Sequence, residues 1–434
     1  MWFIPAAMTF AAIVTAFLLI TVDGLRPGNT NLNWLVYGSN PTGARAILST
    51  IAASIITIAG VAFSLNLVIL TIASSQYGPR LLKNFIRDTS NQVVLGTFLS
   101  TFVYSLIVLL AVRDEQGVPF VPHIAVAFSF FLALASLALL IYFINHTSSS
   151  IQAENVITSA YKDLIKAIDK FNPQQVERQE QIPIEEVVLS LKNHGYSTLN
   201  LTAPRPGYIQ AFSHKTLWRS STENDLVIRL LYQVGDFIVA GECVIEVFYK
   251  DKPTPVAQDR LLASVITGVQ RTPAQEIEFP INQMTEIAIR ALSPGVNDPH
   301  TAITCIHWLG SALVTLATST LPEDIQYDKD NRLRIIRKVH DFSQLVDFCF
   351  DTIRFHAAGN VYVSIHILKA LRKVIRQAKT ATQISALVNI AEVVERSNSV
   401  KVLEQKELQI LTNEYEKLLA DAHAFDVPSD LPTQ

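Results

Sequence analysis

Four stretches of this chain run for more than 20 residues without a charged side chain: 2–22, 46–73, 92–112 and 121–145. A helix rises about 1.5 Å per residue and a bilayer's hydrocarbon core is ~30 Å thick, so roughly 20 apolar residues span it. All four runs meet that length. Up to Ala111 the charged residues are Asp23, Arg26, Arg45, Arg80, Lys83, Arg87 and Asp88, and each lies between runs. Only 17% of the 434 residues are charged, against about 25% in soluble chains. These observations predict a polytopic membrane protein with four transmembrane helices within residues 1–147. The second run exceeds the minimum length and is expected to tilt or to project beyond the bilayer.

The first run lacks a basic leading region and a small-x-small cleavage site before Asp23, so it reads as a retained helix rather than a signal peptide. Trp2, Trp34, Tyr37 and Tyr142 lie near span ends, where amphipathic rings favour the interface. The turn at 74–91 carries Arg80, Lys83 and Arg87, whereas the loop at 113–120 sets Arg113 against Asp114 and Glu115. Basic short loops stay inside, so the turn and both termini are expected to be cytoplasmic, in a cell inner membrane. Cys243, Cys305 and Cys349 are widely spaced and fit free thiols in a reducing compartment. A net charge of −3 and a pI near 6.4 give no reason to expect nucleic acid as a partner.

The second run is rich in hydroxyls. Thr50, Ser54, Thr57, Val61, Ser64, Val68, Thr71 and Ser75 follow at alternating steps of three and four, which places them on one helical face. Asn66 adds an amide at membrane depth, and Ala53 and Gly60 add small residues. One reading is helix packing, since small and hydroxyl residues let backbones approach. The other is a hydrated pathway in a homo-oligomer, where hydroxyls help replace a solute's water. The spans hold no Asp, Glu, Lys or Arg, which argues against a proton-driven carrier or a voltage sensor. Gly78-Pro79 breaks the helix. Beyond it, a short amphipathic piece with Arg80, Lys83 and Arg87 suits either a topogenic turn or contact with anionic headgroups.

The rest of the chain reads as a cytosolic α+β region. Residues 148–198 are expected to hold a connecting helix, continuous with the fourth span, and a polar linker at 174–181. Residues 199–260 carry β-rich runs punctuated by proline and glycine, expected as a small β-barrel-like domain. The pieces at 203–209 and 235–241 resemble half-barrels of lipoyl and biotinyl carriers, but no lysine sits in a carrier-type hairpin. Residues 261–434 read as a helical bundle with helices at 282–292, 299–316, 332–357, 361–378 and 382–419. His340, Asp347 and Asp351 share a helix face. Metal ligation there competes with an ordinary solvated face, and the solvated face explains them better. HExxH, CxxC, P-loop and GxSxG elements are absent. The chain is therefore expected to be no enzyme and to use no cofactor or metal.

The most site-like stretch of the cytosolic part is the connection at 290–301. Ser293-Pro294-Gly295 ends one helix, and Asp298-Pro299 starts the next with a cap and a proline at its first position. Arg290, Ser293, Asn297, Asp298, His300 and Thr301 crowd this connection. They read either as a capped helix–helix joint or as a site for a small anionic ligand or a neighbouring subunit.

Several segments together resemble a bacterial membrane-protein family known as domain of unknown function 2254. They are Trp2-Phe3-Ile4-Pro5, Ile47-Leu48-Ser49-Thr50-Ile51-Ala52-Ala53-Ser54, Ala73-Ser74-Ser75-Gln76-Tyr77-Gly78-Pro79-Arg80-Leu81-Leu82, Asn91-Gln92-Val93-Val94-Leu95-Gly96-Thr97-Phe98, Arg290-Ala291-Leu292-Ser293-Pro294-Gly295-Val296-Asn297-Asp298-Pro299 and Phe348 to Arg354. The resemblance implies a membrane location and brings no site residues. Members of that family usually carry a basic segment before Trp-Phe-x-Pro, which this chain lacks, pointing to a late-assigned start codon. The function expected is an oligomeric channel or pore-like protein with a cytosolic regulatory domain. The alternative is a membrane-anchored ligand sensor or scaffold without transport.

Overall fold

Each charge-free run folds as one helix, since only intrasegment bonds satisfy the backbone of an apolar stretch away from water. The structure, a computed structural model, describes residues 3–25, 40–78, 88–113, 120–171, 183–272, 275–322 and 324–425. Trp2, Trp34, Tyr37, the basic residues Arg80, Lys83 and Arg87, and the linker at 174–181 lie outside them. Two units are distinguished, Met1–Asn155 and Val156–Gln434.

The first unit contains α1 (Phe3–Leu25), α2 (Pro41–Tyr77), α3 (Thr89–Ala111) and α4 (His123–Ser150). Helix α3 packs on all three others and is the most buried of the four. One apolar cluster joins Ala16, Ala44, Leu48, Tyr104 and Val108, and another joins Ile55, Ala62, Val94, Phe98 and Phe143. Gly96 sets how closely α1 approaches α3: a Cβ there would meet Met8 Sδ at 2.8 Å and the Pro5 backbone at 3.2 Å. Gly96→Val is therefore expected to cost about 1–3 kcal/mol by overpacking, read as a lower Tm in detergent. An unchanged Tm would mean that the helices do not need this contact.

Asp23, Arg45 and Asp88 of this unit act at helix ends. Both carboxylate oxygens of Asp23 accept from the Ile124 amide (3.2 and 3.0 Å), and one also accepts from Ala125 (3.1 Å), at the start of α4. Arg45 donates to the Val112 carbonyl (2.9 Å) just past α3. Asp88 caps α3 through Ser90 N (2.9 Å) and meets His146 Nε2 at 2.7 Å. Helix starts have unpaired donors and helix ends unpaired acceptors, so anions suit the first and cations the second.

The second unit begins with α5 (Ala153–Phe171) and α6 (Ile184–Asn193). The fourth span was expected to continue unbroken into α5, but a turn at Ile151 and Gln152 interrupts it. Next come β1 (Ser197–Thr202), β2 (Gly207–Phe212), α7 (His214–Glu223), β3 (Val227–Leu230), β4 (Phe237–Ile238), β5 (Cys243–Tyr249), α8 (Pro255–Ala263) and β6 (Val265–Gly268). The remainder is α9 (Glu278–Ala291), α10 (Pro299–Thr318), β7 (Ile325–Tyr327), β8 (Leu333–Arg337), α11 (Phe342–Ala357), α12 (Val361–Ile375), α13 (Ala381–Lys401) and α14 (Gln405–His423).

Two sheets take the place of the expected small barrel. One has the order β1-β5-β3-β8-β7 and the other β4-β2-β6. The larger is antiparallel except for the β3–β8 pair, which is parallel with Ile228 opposite Ile335. Residues 332–357 were expected as one helix, but Leu333–Arg337 is a strand. Asn331, at φ 58°, turns the chain, and Asp328 N bonds back to the Arg332 carbonyl at 2.8 Å. A capping box at Asp341 and Gln344 then starts α11 afresh. The helix expected at 382–419 is likewise divided: Val402 leaves helical geometry, and Glu404 caps α14.

Among the described residues, five helices are long and apolar enough to cross a membrane, namely α1 to α4 and α10. Helix α10 packs on α9, α11 and α12. Its Ala302, Cys305, Ile306, Leu309 and Leu313 are buried, and His307 and Ser311 are exposed.

Candidate functional site

The hydroxyl stripe of α2 points away from the helices of its own chain. Thr50, Ser54, Thr57, Val61, Ser64, Val68, Thr71 and Ser75 are all exposed within the described residues. The opposite face, with Ala44, Leu48, Ala52, Ile55, Ala62, Ile69 and Ala73, is the one that packs. Asn66 is half-buried and belongs to that packed line, four residues after Ala62. The sequence grouped it with the hydroxyls by depth alone, and the helical turn separates them.

Four of the stripe hydroxyls are turned onto their own backbone. Thr50, Thr57 and Thr71 donate to the carbonyls four residues earlier, at 2.7, 2.7 and 2.9 Å. Ser75 donates to Ile72 O at 2.9 Å. Such back-bonding makes a hydroxyl tolerable in an apolar setting. It also fixes the chemistry on offer at Thr50, Thr57 and Thr71: the proton is committed to the helix, and the hydroxyl oxygen is left as an acceptor. Water or a cation matches that surface better than an anion.

A second set of hydroxyls, not singled out from the sequence, is buried between α3 and α4. Thr101 Oγ1 lies 3.0 Å from Ser136 Oγ, and Ser105 Oγ lies 2.9 Å from Ser129 Oγ. Tyr104 donates to the Ala125 carbonyl at 3.0 Å. The signal was present as Thr97, Thr101 and Ser105 at steps of four and Ser129 and Ser136 at a step of seven. Each interhelical bond of this kind contributes roughly 0.6 kcal/mol. The seam fixes the register of α3 on α4 and fills the space between them.

In the second unit the connection at 290–301 is closed by its own bonds. Arg290 pairs with Glu286 at 3.1 Å on the same helix, rather than with Asp298. Ser293 Oγ donates to the Arg290 carbonyl at 2.6 Å, and the amides of Val296 and Asn297 donate to the Ser293 carbonyl. Asn297 has φ 48°, which turns the chain back. Asp298 caps α10: Oδ1 accepts from Thr301 N at 3.1 Å and Oδ2 from Thr301 Oγ1 at 2.6 Å. Those hydrogen bonds hold its carboxyl below the usual range, against an opposing push from burial. His300 packs edge-on against Tyr362. The capping pattern legible in the sequence is there, and its polar groups are engaged mainly with one another.

The side chains weighed for a metal are held separately. His340 packs on Phe348, with ring centroids 5.0 Å apart, and Asp351 pairs with Arg354. Burial, followed by the charges of Asp351 and Asp341, raises the Asp347 carboxyl above its ordinary value.

Residues 1–373 match a family model described as predicted membrane protein (DUF2254). Uncharacterised proteins of Mycobacterium bovis and Mycobacterium tuberculosis are 32% identical over 377 residues, covering 84% of this chain and 71% of theirs. No solved structure matches. With the family model covering most of its length, this chain belongs to the DUF2254 family of predicted membrane proteins.

Proposed function

We propose that this protein is an oligomeric inner-membrane channel in which α2 of neighbouring subunits lines a polar path for water or small cations. The observation that carries it is the exposure of the α2 hydroxyls, with Thr50, Thr57 and Thr71 donating to their own helix. Within the bundle, the Thr101–Ser136 and Ser105–Ser129 pairs already bond each other, which favours the outward-facing stripe over the α3–α4 seam. A path between subunits remains. In this reading α1 to α4 cross the bilayer. Helix α10 does not, because its apolar side is satisfied by α9 and α12 and its other side carries His307 and Ser311. The basic turn with Arg80, Lys83 and Arg87 then faces the cytoplasm together with both termini and the second unit.

Proteoliposome cation flux, measured beside oligomer size, tests the proposal. Ser54→Leu, Thr57→Leu and Ser64→Leu, made singly, are expected to keep the oligomer and lower flux at least about tenfold, roughly 1.4 kcal/mol in barrier. If these variants lose the oligomer and show no separate flux defect, the stripe only packs helices. Flux absent from the wild-type oligomer would instead favour the membrane-anchored sensor or scaffold.

A further inference from the structure

The second unit holds an open-sided cavity of about 570 Å³, within the usual range for small-molecule sites. Its apolar wall comes from Phe212, Leu217, Leu230, Ile277 and Ile335. These residues lie far apart in the chain, and the pairing of β3 with β8 brings the strands of Leu230 and Ile335 together. A wall of this kind suits the hydrocarbon body of a ligand.

The polar groups at the cavity fall into two sets. Some are already engaged within the protein. Gln275 is bound to both backbone groups of Phe212, at 3.0 and 3.2 Å. His214 lies 3.0 Å from Gln326 Oε1. Glu276, only 2% exposed, is paired with Arg271, whose guanidinium also reaches Glu278 at 2.6 Å. The second set is Gln233 and Arg337. Gln233 Nε2 and Arg337 Nε are buried and have no hydrogen-bond partner among the described residues. Both are donors, and both residues line the same cavity.

A buried donor without an acceptor is destabilising, and more so when it is charged. Asp324 lies close enough to act on Arg337 electrostatically, but its carboxylate is engaged by the Val339 amide at 2.8 Å. Burial pulls the Arg337 guanidinium below its ordinary value, with only Asp324 opposing. Lys338 adds a second cation at the rim. Arg271 is shared by Glu276 and Glu278, so the charged groups lining the cavity are the cations Arg337 and Lys338 and the carboxylate Glu276.

We infer that this cavity is a binding site for an organic oxyanion: a carboxylate or phosphate head received by Arg337, Gln233 and Lys338, with an apolar body against Phe212, Leu217 and Ile335. An oxyanion supplies the acceptors that both orphan donors lack, and charge-assisted bonds to a guanidinium are among the stronger ones available. The inference does not rest on flux, and it holds for a sensor as well as for a channel.

Calorimetric titration of the full chain in detergent tests it. Naphthalene-1-carboxylate and 1-naphthyl phosphate are expected to bind and to raise Tm, while the isosteric neutral naphthalene-1-carboxamide binds at least about tenfold more weakly, a difference near 1.4 kcal/mol. Dihexanoyl phosphatidic acid, run in parallel, distinguishes a lipid headgroup from a free acid by which of the two binds more tightly. Arg337→Met and Gln233→Leu are each expected to weaken the carboxylate at least about tenfold. Should Arg337→Met fail to fold, Gln233→Leu and the exposed-site variant Lys338→Gln decide. Equal binding of acid and amide overturns the inference. So does an affinity for the acid that survives these substitutions, or no binding at millimolar concentration.

Discussion

Arg334→Ala is expected to destabilise the second unit by about 3 kcal/mol, the cost of breaking a buried ion pair from one side. Arg334 lies on β8 with its side chain 6% exposed. It donates to Asp328 at 2.8 Å and Asp225 at 2.7 Å, and reaches the Ser221 carbonyl at 3.3 Å. It therefore ties the turn before β8 to the end of α7 and the start of β3. Asp225 is largely exposed and can return to water, so most of the loss comes from Asp328, 12% exposed, and from the Ser221 carbonyl. Arg334→Lys should recover only part of the stability, since an ammonium lacks the planar fork that serves several acceptors at once. Chemical denaturation followed by tryptophan fluorescence reads both variants. Wild-type stability in Arg334→Ala would mean that this network contributes nothing to the β3–β8 pairing.

Leu309→Ala in α10 is expected to cost about 2–5 kcal/mol, the range for truncating a buried leucine that leaves a cavity. Leu309 is fully buried, and beside it Gly310 sits so close to α12 that an added Cβ would lie 3.1 Å from the Ala370 Cβ. The neighbouring backbones therefore have little room to collapse into the space. The same substitution addresses whether α10 crosses a membrane. A lipid-facing leucine truncated to alanine leaves no cavity, so a loss below about 0.5 kcal/mol would favour a spanning α10.

How much of this was legible in the sequence depended on the range of the force involved. Hydrocarbon thickness imposes a length on any crossing helix, so α1 to α4 were readable from charge-free runs alone. Capping is equally local: Asp298-Pro299 announced the start of α10 to the residue. The sheets depend on pairing between distant segments. The parallel pair of β3 with β8 joins residues 228 and 335, and nothing near Leu333 indicates that Ile335 and Ile336 extend a sheet rather than begin a helix. For the same reason the β-rich run at 199–260 reads as a small barrel-like segment, while its strands divide between two sheets. The stripe on α2 was readable as a face. Which way that face points was not, because direction is set by the packing of Ala52, Ile55 and Ala62 on the other side. The cavity was invisible, since its lining comes from segments more than a hundred residues apart.

Thiol accessibility along α2 tests the central claim most directly. In a background with Cys243, Cys305 and Cys349 replaced, single cysteines at Thr57, Ser64 and Thr71 are compared with cysteines at Ala52 and Ile55 on the packed face. A charged, water-soluble methanethiosulfonate reagent is added during proteoliposome cation flux. Rapid block at the three stripe positions, with none at Ala52 or Ile55, is the result expected of a polar path lined by the hydroxyl face. A stripe that stays unmodified while the oligomer is intact would place that face in lipid or in a dry subunit contact, and would contradict the channel.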